Sequence, residues 1–159
     1  MTRVRQAIGL VIAVVVCLGA AGVGSWLTLP SIGTWYAALA KPAWNPPNWV
    51  FGPVWTVLYL SMAVAAWLVW RESQTRSVSV PLALFAVQLA LNVAWSGIFF
   101  YLHQIGAAVV AVLALWTFIL ATLLSFRRVS RAAALLMAPY LAWVSFASYL
   151  NFTVWKLNR

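Results

Sequence analysis

"WYAALAKPAWNPPNWVFGPVWTVLYL", residues 35–60, decides how the chain is read. It holds Trp35, Trp44, Trp49 and Trp55 together with Pro42, Pro46, Pro47 and Pro53, and Lys41 is its one charged residue. Proline breaks the first half too often for a helix to run through it. The second half is apolar, and Pro46 and Pro47 suit a helix start, where a missing N–H group costs nothing. The stretch therefore reads as a rigid connection, residues 30–48, feeding into a membrane-spanning helix.

Composition supports that reading. The chain has 159 residues, of which 65% are hydrophobic and 7% charged, and its mean hydropathy is +0.96. A water-soluble domain carries about a quarter of its residues charged. Five segments reach the roughly 20 apolar residues that a span requires: 7–29, 49–70, 80–102, 105–126 and 132–155. Backbone groups in hydrocarbon must be paired within their own segment, so the spans are helices. The period-2 alternation of a membrane barrel is missing. The start "MTRVR" is basic like a signal peptide, but the apolar run after it is too long for a leader. The expected fold is an all-α integral membrane protein: one domain over residues 1–159, a five-helix bundle whose long first loop lids a pocket.

The net charge of +9 does not point to nucleic acid, because the basic residues sit at the ends of apolar runs. Arg3, Arg5, Arg71, Arg76, Arg127, Arg128 and Arg131 fall on one side, and Lys41, Lys156 and Arg159 on the other. That asymmetry predicts a cytoplasmic N-terminus, with the first loop and the C-terminus outside a bacterial plasma membrane.

Absences exclude whole classes of chemistry. There is no Asp, and Glu72, the only acid, lies in a connection. No Lys or Arg lies inside an apolar run, so a Schiff base and an intramembrane proton carrier have no residue to use. Paired-carboxylate hydrolysis and acid-ligated metal sites are excluded too. Cys17 is alone in the first span and reads as a packing residue. His103, the only histidine, lies in a short connection and reads as solvated rather than as a ligand. Neither a metal nor a covalent cofactor is expected.

Periodicity then picks the inward faces. In the third span Gln88, Asn92, Trp95 and Phe99 form one stripe at 3.6 residues per turn. Unpaired amides are costly in lipid, so this stripe faces other helices or a cavity. Ala86, Ala90 and Ala94 make a small-residue row on the opposite side, read as a homodimer seam, with "GAAGVG" at 19–24 as a rival. The second span aligns Asn48, Phe51, Trp55 and Tyr59. The fifth aligns Pro139, Trp143, Ala147 and Leu150 or Asn151, with Ala147 leaving a groove. These faces describe an apolar cavity with a few polar anchors, under the first connection. Of eleven tryptophans, Trp26, Trp49, Trp70 and Trp155 fit an interfacial belt. Trp67 and Trp116 read as lipid-facing or packing residues. Trp55, Trp95 and Trp143 sit on the inward faces, where their flat rings suit a flat ligand.

Three stretches, "WYAALAKPAWNPPNWVFGPVWTVLY", "QLALNVAWSGIFF" and "PYLAWVSFASYLNFTVWKLN", resemble the signatures of the translocator protein family, also called tryptophan-rich sensory proteins or peripheral-type benzodiazepine receptors. The resemblance runs from about Ile8 to Asn158. It implies a dimeric five-helix bundle with a pocket under the first loop. It implies binding of porphyrins such as protoporphyrin IX, of haem-related tetrapyrroles, of cholesterol in animals, and of synthetic isoquinoline carboxamides and benzodiazepines. By motif position the ligand-binding candidates are Asn48, Phe51, Trp55, Gln88, Asn92, Trp95, Trp143, Ala147 and Leu150, with Trp35 and Tyr36 in the lid. Bacterial relatives have been proposed to break down protoporphyrin in light and oxygen, and the tryptophans implicated correspond to Trp55 and Trp143. The family's sterol-recognition stretch has tyrosine where this chain has Phe152, ahead of Lys156, which weighs against sterol binding. Animal members carry a tryptophan and an acid where this chain has Ala107 and Ala111.

Three functions follow as alternatives: a protein that binds tetrapyrroles to sense or move them, an enzyme of porphyrin photo-oxidation using Trp55 and Trp143, and a regulatory membrane partner. The lack of an acid–base or metal constellation puts binding first.

Overall fold

The computed structural model describes residues 1–159. The chain forms α1 (Arg3–Ile32), a one-turn α2 (Trp35–Ala38), α3 (Asn48–Arg71), α4 (Ser79–Ser96), α5 (Ile105–Val129) and α6 (Arg131–Leu157). All but α2 are long and apolar enough to cross a membrane. The five expected spans are borne out; α1, α3, α5 and α6 run past their apolar runs at one or both ends, whereas regular α4 stops at Ser96, short of the expected end at 102. Local chemistry sets several of these ends. The Thr2 hydroxyl accepts the Arg5 N–H at 3.3 Å, and Ser130 accepts from Ala133 N at 3.3 Å, each satisfying an orphan donor of a first turn. Ser130 alone separates α5 from α6, so these two are antiparallel neighbours. α3 begins at Asn48 directly after Pro47.

The lid-side end of α4 departs from a regular helix. Gly97–Tyr101 widen into a π turn, in which Leu102 N donates to Gly97 O at 2.9 Å. Such turns change which backbone groups are paired. Here the Phe100 carbonyl accepts from Ser31 Oγ of α1 at 2.6 Å.

The helices close into a ring in the order α1, α3, α6, α5, α4 and back to α1. At the end carrying most of the arginines the ring is filled. Met62, Ala63, Ala65 and Val69 of α3 meet Phe126 of α5 and Ala133 and Met137 of α6, all with no exposure. Small residues let the backbones approach, which is how helices associate when lipid is as apolar as their side chains. Gly9 works the same way, since a Cβ there would collide with the Trp70 ring. Trp70 is therefore a packing residue against α1 as well as a belt residue. Cys17 is buried in this core, as expected.

Mid-bundle, four polar side chains join across three helices. Tyr59 Oη donates to Asn92 Oδ1 (3.1 Å), Asn92 Nδ2 donates to Tyr140 Oη (2.6 Å), and Tyr140 Oη donates to Gln88 Oε1 (2.9 Å). The third-span stripe thus faces inward as read. Of the fifth-span stripe Trp143, Ala147, Leu150 and Asn151 face inward as read, but Pro139 is exposed and Tyr140 takes the interior place at that end. Ala86, Ala90 and Ala94 are exposed along α4, and Gly19 and Gly22 of the rival row have open space before them.

Candidate functional site

Residues 30–48 fold over one end of the ring. Tyr36 in α2 is buried and donates to Asn45 Oδ1 at 3.2 Å. Lys41 Nζ donates to the carbonyls of Tyr36 (2.6 Å), Leu39 (3.0 Å) and Ala37 (3.3 Å), so the loop's one cation ties down the end of its own helical turn. Asn158, just past α6, clasps Ala40 from both sides: its Oδ1 accepts from Ala40 N (3.0 Å) and its Nδ2 donates to Ala40 O (2.8 Å). On the other flank Trp35 stacks on His103 with ring centres 4.1 Å apart. His103, at φ 58°, shares a hydrogen bond of 3.1 Å with Ser31 Oγ. His103 is exposed, as read, and it also joins the lid, α1 and the α4–α5 connection as a latch. Burial pushes the Tyr36 phenol above the usual tyrosine value, while its bond to Asn45 pulls the other way.

Beneath the lid lies a cavity of about 390 Å³. Asn48, Phe51, Trp55 and Tyr59 of α3 form one wall, and Asn92, Trp95 and Phe100 form another. The third wall comes from α1, through Gly24, Ser25 and Thr28. No α1 residue was among the candidates from sequence. The cavity is open on one side, where Leu29 and Trp49 are 69% and 75% exposed. Trp49, expected in an interfacial belt, thus forms the rim.

A second, smaller cavity of about 40 Å³ adjoins the first. Trp143, Ala147 and Leu150 of α6 line it, and Phe51, Trp55, Trp95 and Tyr36 belong to both cavities. A wall of aromatic side chains is all that divides the two. The Trp143 ring lies 5.9 Å from Phe51 and 5.4 Å from Phe146. Its Nε1 is buried without a hydrogen-bond partner. A lone buried donor is unfavourable by about 1–3 kcal/mol, and an acceptor on a ligand would relieve it. Trp95 differs, because its Nε1 donates to Asn151 Oδ1 at 3.0 Å and Asn151 Nδ2 donates to Ile105 O at 3.2 Å. Trp55 sits centrally, with Tyr59, Tyr140 and Trp95 at 5.8, 6.2 and 6.4 Å.

Nine of the eleven candidates therefore border one cavity or the other. The other two do not. Gln88 lies below the floor with no exposure, its amide oxygen held by Tyr140. Trp35 lies outside the walls as part of the latch. The α1 contribution was missed because its lining residues are small and give no amide or aromatic stripe. Gly24, Ser25 and Thr28 at the lid-side end of the first span were the available signal. Nowhere in the fold do three or more His, Cys, Asp or Glu side chains come together.

Comparison with known proteins places this geometry. The profile of the TspO/MBR family matches residues 11–156. The tryptophan-rich protein TspO of Chlorobaculum tepidum is 44% identical over 97% of this chain and 98% of its own length. The human translocator protein is 48% identical over 79% of this chain and 75% of its own, and protein CrtK of Rhodobacter capsulatus is 39% identical over 89% and 86%. With these matches and its five apolar helices, the chain is an integral membrane protein belonging to the TspO/MBR family.

Proposed function

We propose that the protein is a receptor for porphyrins, protoporphyrin IX and haem-type tetrapyrroles among them, and for related flat apolar molecules. The observation that carries this reading is the cavity beneath the lid, walled by Phe51, Trp55, Trp95 and Phe100. Its size is at the lower end for small-molecule sites, and its open side lets a flat ring larger than the cavity enter edge-first. The aromatic divider is made of side chains, so rotamer changes join the two cavities without moving a helix. No charged residue lines either cavity, so the carboxylates of a porphyrin would stay at the open rim. The name of the human relative, translocator protein, fits a role in which binding is coupled to passage. We place the lid on the outer face of a bacterial plasma membrane, from the distribution of arginines, and a homodimer seam along Ala86, Ala90 and Ala94.

Titration with protoporphyrin IX, followed by tryptophan emission, tests the reading. Quenching at micromolar porphyrin is expected, weakened by Phe51→Ala. Emission unchanged over that range would refute it.

One observation favours an additional, light-dependent activity: Trp55 is in the shared wall, within 6.4 Å of two tyrosines and a second tryptophan. There its indole would donate an electron to the photo-excited porphyrin, which would pass it to dioxygen as superoxide. The indole radical cation would then take an electron from the porphyrin, and the porphyrin radical cation and superoxide would combine. Porphyrin plus dioxygen thus give an oxygenated product and the indole is restored, with Trp143 as a second donor. Under illumination in oxygen, Trp55→Phe and Trp143→Phe are expected to slow bleaching of the bound porphyrin. Equal bleaching in wild type and both variants would remove the enzymatic reading.

A further inference from the structure

Gly24 of α1, Tyr59 of α3 and Ser96 of α4 meet at one corner of the large cavity. A Cβ on Gly24 would lie 3.7 Å from Ser96 Oγ and 4.0 Å from Tyr59 Oη, so the missing side chain keeps the corner open. Ser96 is 8% exposed, lines the cavity, and gives its hydroxyl to no protein acceptor. Of the other hydroxyls on the same walls, Ser25 is exposed, away from this buried corner, and two threonines are tied off. Thr28 Oγ1 donates to Gly24 O at 2.7 Å and Thr56 Oγ1 to Gly52 O at 2.9 Å, each one turn back. Tyr59 has committed its proton to Asn92 Oδ1, and Asn92 is held in place by Tyr140, so the Tyr59 oxygen faces the corner as an acceptor.

The corner therefore offers one donor, Ser96 O–H, beside one acceptor, Tyr59 Oη. No lining residue is charged. A carboxylate placed there would lose its hydration with no cation to offset the loss. A carbonyl satisfies the donor alone. A hydroxyl satisfies both.

We propose that this corner is a subsite for a neutral oxygen, a hydroxyl above all, carried on a flat apolar ligand, and that Ser96 selects it. The proposal rests on the cavity being a ligand site. It adds a ligand class distinct from porphyrin carboxylates, which the corner excludes.

Three probes with one ring system test it at pH 7: pyrene, 1-hydroxypyrene and pyrene-1-carboxylate. Affinities are read by energy transfer from tryptophan to bound probe in lipid nanodiscs, with protein-free discs subtracted. 1-Hydroxypyrene is expected to bind about three- to tenfold more tightly than pyrene, the range of one or two net hydrogen bonds, and the carboxylate more weakly than pyrene. Ser96→Ala is expected to abolish the preference for 1-hydroxypyrene while leaving pyrene and protoporphyrin IX unchanged. Gly24→Ala adds a methyl group at ordinary contact distance, so it folds, and it is expected to abolish the same preference by filling the corner. Equal binding of all three probes, or a preference that survives both variants, overturns the subsite and leaves the cavity reading standing. No binding of any pyrene probe overturns both.

Discussion

The arginine end and the lid end of the same five helices are packed by different side chains. At the arginine end alanines alternate with single large residues such as Met62, Phe126 and Met137, and no exposure remains. At the lid end aromatic rings are set between α3, α4 and α6: Phe51, Trp55, Trp95, Phe99, Phe100 and Trp143. Rings that meet edge-to-face or tilted fill space less completely than a methyl set against an alanine backbone, and gaps of about 390 and 40 Å³ persist between them. One end is filled and the other holds the cavities proposed to take a ligand, and the Tyr59–Asn92–Tyr140–Gln88 chain marks the boundary.

The largest effect that separates the two ends comes from truncation. Met62→Ala removes a fully buried side chain at the filled end, and a loss of about 2–5 kcal/mol is expected in denaturant or thermal unfolding. Phe51→Ala removes a half-buried ring from the divider, so it is expected to change stability far less while weakening ligand binding. Similar stability losses in the two would erase the distinction between the ends. The boundary comes next. Tyr140→Phe strands Asn92 Nδ2 and Gln88 Oε1 in the interior and is expected to cost about 1–3 kcal/mol. A third variant, Asn158→Ala, breaks the clasp on Ala40, and ligand release is expected to quicken by about three- to tenfold, the equivalent of one or two hydrogen bonds, with little change in unfolding.

The smallest effect is a pH dependence. Burial raises the Tyr36 phenol above its usual 10.0, so the folded lid favours the neutral form. Its contribution is present in full below pH 10 and is lost as pH rises past the raised value. Ligand exchange is therefore expected to be insensitive to Tyr36 from pH 7 to about pH 10 and to quicken above it. Tyr36→Phe should remove that alkaline limb.

Much of this was legible in the residues. Apolar runs bounded by arginine fix five spans, since hydrocarbon admits little else. The stripe of Asn48, Phe51, Trp55 and Tyr59 reads correctly as one wall, because amides and aromatics at helical spacing stand out against leucine and valine. What failed to show has physical reasons. Gln88 has the same sequence signature as Asn92, but its oxygen is taken by a tyrosine 52 residues away, a pairing that only the fold reveals. Pro139 marks a face by its missing donor, yet the ring turns it to lipid and brings Tyr140 in. α1 contributes a wall of Gly24, Ser25 and Thr28 that looks like an ordinary small-residue patch. His103 is exposed as read, but its latch role stayed hidden because Trp35 and Ser31, its partners, lie far away in sequence.

The central claim is that the lid end holds a flat ligand within the ring of helices. A structure of the protein in complex with protoporphyrin IX tests it most directly. The account predicts a tetrapyrrole plane against Phe51, Trp55 and Phe100, with Tyr36 above it and the carboxylates at the open rim beside Trp49. A porphyrin seated instead on the outer surface along Ala86, Ala90 and Ala94, with the side chains of the cavity unmoved, would contradict it.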